Sequence, residues 1–236
     1  FEIKYSDKDQ TLSLKPFVLF NFLQDIAVKN AEDLGFGYSY MTPRHLGWYL
    51  IKYRMEFKKY PTDMEEIKIR TVSRGYNKIF AYRDFELYSE NELLGRISSL
   101  WAVVNLDTKA MMPIASAFED LTNLKPYEKA DDDLIFSKLK SIEKFDCEKE
   151  FEVRYDDIDT NGHANNGNYI IWALEPIDFN YRKIHTIKTL DLMFKKEAKF
   201  GEKIISQIFY KDDYTTLHTL KNLQNEELCL VECCWE

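Results

Sequence analysis

The sequence predicts an α+β chain in which one unit, a long helix followed by an antiparallel meander, occurs twice. Three observations carry this expectation. Hydrophobic spacing switches from a helical period to strict alternation, in the same order in each half. Phe57-Lys58-Lys59 in the first half answers Phe194-Lys195-Lys196 in the second. Leu94 precedes Trp101 by the same interval as Leu228 precedes Trp235. This is the pattern of a tandem (double) hot-dog fold: two antiparallel sheets, each wrapped around a long helix and paired side by side, because one helix cannot cover both faces of a sheet. The expected organisation is a first domain over 1–114, a connector over 115–149 and a second domain over 150–236.

The first helix is expected from about Lys15 to Leu34. Phe20, Leu23, Ala27, Ala31 and Leu34 recur at spacings of three and four, Pro16 suits an opening turn and Gly35 suits a stop. From Tyr49 to Phe57, apolar Tyr49, Ile51, Tyr53, Met55 and Phe57 alternate with Lys52, Arg54 and Glu56, the signature of a half-buried strand. Strands follow at Glu66–Ser73, Ile79–Tyr88 and Leu93–Asn105, punctuated by Tyr60-Pro61-Thr62-Asp63, Gly75 and Ser89-Glu90-Asn91. Residues 115–149 carry Pro126 and the run Asp131-Asp132-Asp133 without a sustained apolar period, and read as a solvated connector with one short helix. The order then repeats: a short strand at Phe151–Tyr155, a polar loop, a helix over Asn166–Ile177 closed by Pro176, and strands at Thr189–Lys196, Lys203–Tyr210, Thr216–Leu223 and Glu227–Trp235.

Composition narrows the function classes. The chain has 236 residues, 45% of them hydrophobic, with 16 Phe and 15 Tyr, enough for an ordinary core without disulfide staples. A net charge of −8 argues against nucleic acid as a partner, since phosphate binding needs concentrated Lys and Arg. No run approaches 18 apolar residues, so no membrane span is expected, and no signal peptide is visible in a chain that reads as trimmed at Phe1. Cys147, Cys229, Cys233 and Cys234 lack metal-site spacing; they read as free thiols of a reducing cytoplasm, and no metal is expected.

The sharpest chemical signal is Asp157-Ile158-Asp159-Thr160-Asn161-Gly162-His163-Ala164-Asn165-Asn166, lying between a predicted strand and a predicted helix. Here the chain resembles the acyl–acyl carrier protein thioesterases of plants and bacteria, whose second half carries a D-x-D-x-N-x-H-x-N-N segment. The likeness extends through Arg154, Tyr169, Trp172 and Glu175, and in the first half through Arg54-Met55, Tyr60-Pro61-Thr62, Ser98-Ser99-x-Trp101 and Asn105. The resemblance implies hydrolysis of a fatty acyl chain from the phosphopantetheine arm of acyl carrier protein, within fatty acid biosynthesis and without a cofactor. It implies that Asn161 and His163 are catalytic, that Asp159 supports them, and that a further catalytic acid, Glu197, lies on the next strand in Phe194-Lys195-Lys196-Glu197-Ala198. Many plant members carry a cysteine after that acid, proposed there as a nucleophile; Ala198 stands in its place here.

The chemistry of the residues agrees. Thioester hydrolysis needs a base for water and a stabiliser for the oxyanion. Glu197, desolvated by an apolar pocket, would serve as base; His163 would donate to or orient the water, with Asp159 fixing its tautomer; Asn161 would hold water or carbonyl; the helix start and Gly167 would admit the thioester. Asn165 and Asn166 read equally well as ordinary helix caps. Lys195, Lys196, Lys199 and Lys203 form a basic stretch that would steer an acidic carrier protein, or be a solvated edge. An apolar tunnel in the first half, walled by Tyr49, Ile51 and Tyr53, is expected to hold the acyl chain. Acyl-CoA hydrolysis, a non-catalytic acyl-binding hot-dog and a dehydratase of the same fold are the rival readings, and a homodimer is left open.

Overall fold

The computed structural model describes residues 1–120 and 122–236. Helix α1 (Pro16–Asp33) opens on Pro16, whose missing N–H costs nothing at a first turn, and buries Val18, Leu19, Phe20, Leu23, Ala27 and Ala31. Gly35 ends it with φ +85°, a conformation that disfavours side chains. A short α2 (Tyr38–Met41) leads into β1 (Leu46–Phe57), which starts earlier than its alternation predicts because a register shift between Leu50 and Lys52 breaks the period. Strands β2 (Lys68–Asn77), β3 (Phe80–Ser89) and β4 (Glu92–Asn105) complete the first meander, and β5 (Met111–Met112) pairs with β4 before the single turn of α3 (Ile114–Ala117).

The second half runs β6 (Cys147–Glu152), α4 (Asn166–Leu174), α5 (Phe179–Ile184), β7 (Ile187–Phe194), β8 (Lys203–Asp212), β9 (Thr215–Asn222) and β10 (Glu227–Trp235). Strand β6 lies earlier than expected. As an outer strand it is largely charged, so alternation there is weak. Helix α5, beyond Pro176, was not expected; Asp178 caps it by accepting the Tyr181 N–H at 2.9 Å.

The two expected sheets join into one. Its antiparallel order is β2-β3-β4-β1-β7-β10-β9-β8-β6, and the halves meet where β1 pairs with β7, Arg54 opposite Asp191. Helices α1 and α4 lie against the same face and share one core: Phe20 stacks edge-on to Tyr53 at 4.8 Å and reaches Phe194 at 6.2 Å across the seam. The duplication is visible in the backbone. Lys58 and Lys59 both donate to the Leu94 carbonyl (2.8 and 3.1 Å), and Lys195 and Lys196 both donate to that of Leu228 (2.9 and 3.3 Å).

The connector is not the free solvated strand of chain that its composition suggests. Asp132 pairs with Arg96 at 3.1 Å, Asp133 with Arg74 at 2.8 Å, and Ser137 hydrogen-bonds both Arg54 and Asp191 at the seam. Arg54, Arg96 and Asp191 alternate with core residues Met55, Ile97 and Leu192, so the connector covers the sheet face away from the helices. Its acidic run balances arginines that the alternating strands turn outward.

Candidate active site

Between β6 and α4 the chain makes a loop whose shape is set by two carboxylates. Asp157 accepts from the Arg154 backbone N–H (2.8 Å) and guanidinium (2.8 and 3.2 Å). Burial raises this carboxyl, but the Arg154 bonds more than offset that and leave it below its ordinary value. Asp159 accepts from the Asn161 N–H at 2.8 Å, the His163 N–H at 3.4 Å and the Asn161 carboxamide at 3.3 Å. Gly162 sits at φ +81°, and the Asp159 N–H donates to the His163 carbonyl at 2.8 Å, closing the turn.

The loop projects His163 towards the segment that follows β7. There His163 Nε2 stands 3.2 Å from Glu197 Oε2, the His side chain 23% exposed and the Glu 46%. Two expectations change. Glu197 is not on the strand, which ends at Phe194, but in the coil beyond it, and its carboxylate is half open to solvent rather than enclosed by apolar walls. Asp159 does not set the tautomer of the imidazole; its oxygens are engaged by backbone and by Asn161, and Glu197 is the ring's carboxylate partner.

Glu197 is held in place by its neighbours' peptides. Tyr169 Oη, from α4, accepts the Ala198 N–H at 2.7 Å and donates to the Lys196 carbonyl at 3.4 Å, gripping the backbone on either side of the acid. The Ala164 N–H donates to the Ala198 carbonyl at 2.9 Å, tying loop to coil. Burial raises the phenol pKa of Tyr169, and Tyr49 of β1 is raised by burial and then by the adjacent Glu197 charge. Tyr53, by contrast, is fully buried in the core.

Helix α4 begins at the same place. Asn165 caps it by accepting the Gly167 N–H at 2.8 Å, and also accepts a long bond from Gln24 of α1 at 3.4 Å. A Cβ on Gly167 would lie 2.8 Å from Asn21 Oδ1 and 3.2 Å from Asn165 Oδ1, so a side chain there would displace the carboxamides of α1 and of the cap. Asn21, Gln24, Tyr49 and Tyr169 were not singled out as site residues by the sequence motif. Asn21 and Gln24 left a trace all the same, as the first two polar residues, three apart, of a helix that opens on an apolar run.

The basic stretch loses its steering role. Lys195 pairs with Glu227, Lys196 with Glu226 at 2.5 Å and Lys203 with Glu150 at 2.7 Å, which leaves Lys199 without an ion-pair partner among the described residues. Two surface cavities, of about 130 and about 1000 Å³, are lined by neither His163 nor Glu197. Among the described residues no cluster of three His, Cys, Asp or Glu side chains could hold a metal, and no helix is long and apolar enough to cross a membrane.

A tandem hot-dog with a His–Glu pair at the mouth of its second helix belongs to the class of double hot-dog proteins, and solved structures share its fold. An acyl-ACP thioesterase from Bacteroides thetaiotaomicron matches with a TM-score of 0.88 at 21% identity, covering 100% of this chain and 96% of that one. A 12:0-ACP thioesterase from Umbellularia californica matches at 0.84 and 20%, covering 100% and 95%. The N-terminal domain of acyl-ACP thioesterases matches residues 1–121 and the C-terminal domain residues 140–236. The chain belongs to the acyl-ACP thioesterase family. Among curated relatives, oleoyl-acyl carrier protein thioesterase 2 of Arabidopsis thaliana, a chloroplastic protein, is 28% identical over 199 residues, 76% of this chain and 53% of the relative. The chain spans about half the length of the curated relatives it matches.

Proposed function

We propose that this chain hydrolyses fatty acyl–acyl carrier protein thioesters to free fatty acid and holo carrier protein, by direct attack of water. The observation that carries this reading is the contact of His163 Nε2 with Glu197 Oε2 at 3.2 Å, beside the first turn of α4. In it, His163 donates to one carboxylate oxygen and thereby aims the other at a water molecule, which Glu197 deprotonates. The water attacks the thioester carbonyl, and the oxyanion is received by the Asn166 N–H, which the cap of α4 leaves free, and by the Asn161 carboxamide. Collapse expels the pantetheine thiolate, which recovers the proton carried by Glu197. Asp159 keeps the loop that carries Asn161 and His163 in shape. Four free cysteines suit a reducing, cytoplasmic setting.

Membership of the family supports carrier protein as the handle; the neutralised lysine stretch gives no separate support for it, so acyl-CoA is the competing substrate. The deciding measurement is kcat/KM on matched acyl-carrier and acyl-CoA thioesters, with free acid quantified. Higher efficiency on the carrier thioester is expected, as membership of the family implies. Equal efficiency on both would reassign the substrate, and no turnover of either would make the protein an acyl binder.

A further inference from the structure

The larger cavity lies where the second half's catalytic geometry repeats in the first. In the loop before α1, Asp7 accepts the Lys4 N–H at 2.9 Å as Asp157 accepts that of Arg154, and Asp9 accepts the N–H groups of Thr11 (2.8 Å) and Ser13 (3.1 Å) as Asp159 accepts those of Asn161 and His163. The Leu14 N–H reaches the Pro61 carbonyl at 2.9 Å, as Ala164 reaches Ala198. Thr11, Ser13 and Tyr60 thus occupy the places of Asn161, His163 and Glu197, and Tyr60 is buried with its hydroxyl donated to the Leu14 carbonyl. The machinery is gone, but a groove of about 1000 Å³ remains beside Asp9 and Thr11.

We propose that this groove is a second, non-catalytic site for a fatty carboxylate. Its floor is apolar, formed by Phe17 of α1 with Ile170, Ile171 and Leu174 of α4 and Ile177 beyond it. By the same repeat, Ile171 and Leu174 correspond to Asn21 and Gln24, so the carboxamides that face the catalytic helix are replaced here by hydrocarbon. Its rim is cationic. Lys8, Arg182 and Lys183 line it without an ion-pair partner among the described residues, whereas its acids are engaged: Asp9 by Thr11 and Ser13, Asp178 by the Tyr181 N–H, Glu175 by Lys149. Unpaired cations above an apolar floor, in a chain of net charge −8, select a single-chain anionic amphiphile. The size is that of a small-molecule site, commonly about 300 to 1000 Å³. The choice of a fatty carboxylate among such amphiphiles rests on the hydrolase reading, whose product it is.

The test uses a diazirine-bearing C12 carboxylate crosslinked to the full chain, with adducts mapped by mass spectrometry and binding competed by dodecanoate below its micelle threshold. Adducts are expected on residues 170–183, suppressed by dodecanoate but not by dodecanol. Charge reversal by Arg182→Glu with Lys183→Glu should weaken labelling there at least about tenfold, as loss of charge-assisted bonds implies, while Arg182→Lys retains it. Ile171→Trp, which fills the groove without altering charge, should abolish the same labelling. Thioester turnover at low substrate, measured in parallel, should be unchanged in the charge-reversed protein, so loss of groove labelling and loss of hydrolysis are separate outcomes. Labelling confined to peptides around His163 and Glu197, or groove labelling that survives both charge reversal and filling, overturns the proposal.

Discussion

The loops over residues 4–16 and 154–166 fold alike and differ in what they offer. Both carry the Y-x-D-x-D stem, Tyr5 to Asp9 and Tyr155 to Asp159, and in both the second aspartate organises a turn through backbone N–H groups. At the apex Leu12 takes φ +62° where Gly162 takes +81°, so even a strained leucine keeps the turn. The difference is confined to side chains: Thr11, Ser13 and Tyr60 against Asn161, His163 and Glu197. Ser13 meets Thr62 by a hydroxyl contact of 3.0 Å, whereas His163 meets Glu197. The scaffold is thus independent of the chemistry, and an aspartate in this motif is first a structural residue.

The strongest way to break this comparison is to remove the differing side chains. His163→Ala and Glu197→Ala should each lower turnover by at least about a hundredfold with the fold retained, the usual scale for an acid–base group. Ser13→Ala, the matching change in the first loop, should leave turnover within about threefold, because a hydroxyl-to-hydroxyl surface contact carries none of the proposed proton transfers. Comparable losses in both loops, in steady-state assays of folded protein, would mean that the first loop also works on the substrate.

Tyr169→Phe sharpens the comparison at the coil. The Ala198 N–H would be buried without an acceptor, an expected cost of about 1 to 3 kcal/mol in denaturant unfolding. Because the same hydroxyl grips the peptides around Glu197, kcat should fall about tenfold with KM little changed, the signature of a misplaced base. Loss of a buried phenol hydroxyl in the first half, Tyr60→Phe, should lower stability by about 1 kcal/mol, the net worth of its bond to Leu14, and leave kcat alone. A Tyr169→Phe protein with full kcat would show that Glu197 needs no such grip.

The halves also bury different bases. Arg83, in the first, is lowered by burial to about 10 and stays charged across the neutral range, bonded to Asn30 and Thr71. His218, in the second, is lowered by burial to about 3, Arg182 adding to the effect, and is neutral in the folded chain. Below its ordinary 6.5 the unfolded chain takes up a proton that the folded chain refuses, so stability falls as pH falls from 6.5 towards 3 and is unaffected above. Between pH 7 and pH 5, His218→Asn should therefore lose about 2 kcal/mol less stability than the parent in urea titrations. Equal losses would show that this histidine is not the source of the acid limb.

How far these differences were legible depends on their range in sequence. Helix α1 and the alternation of β1, β3 and β4 are local patterns and were readable from residues alone, as was the repeat carried by Phe57-Lys58-Lys59. The position of Glu197 relative to His163 was not, because it depends on the Ala164–Ala198 and Tyr169–Ala198 bonds between segments far apart in the chain. The charge pattern has the same limit. Lys195, Lys196 and Lys203 look like a patch in one dimension, but cross-strand Glu227, Glu226 and Glu150 neutralise them in three. The repeated Y-x-D-x-D stem is present in the sequence, but Thr11 and Ser13 carry no motif of their own to mark it as a counterpart of the second loop.

A small effect is also expected at Ala198, and it bears on mechanism. Many relatives were expected to place a thiol here, yet in both halves this position acts through its backbone: Pro61 and Ala198 each present a carbonyl to the residue opposite, Leu14 or Ala164. Proline in the first half shows that no side-chain function is required for that role. The Ala198 side chain is fully buried, and its N–H is already held by Tyr169. A thiol introduced by Ala198→Cys would lie in apolar surroundings that hold it protonated and a poor nucleophile. Turnover should stay within about tenfold of the parent, since in the proposed mechanism base, donor and orientation come from Glu197, His163 and Asn161. Rapidly quenched enzyme should carry no acyl adduct by mass spectrometry, and release of thiol should show no burst. A missing burst alone decides little, because fast deacylation conceals one. An adduct trapped on Glu197 would replace direct water attack with an anhydride route at the same site, and an adduct on any native cysteine would overturn the site as well.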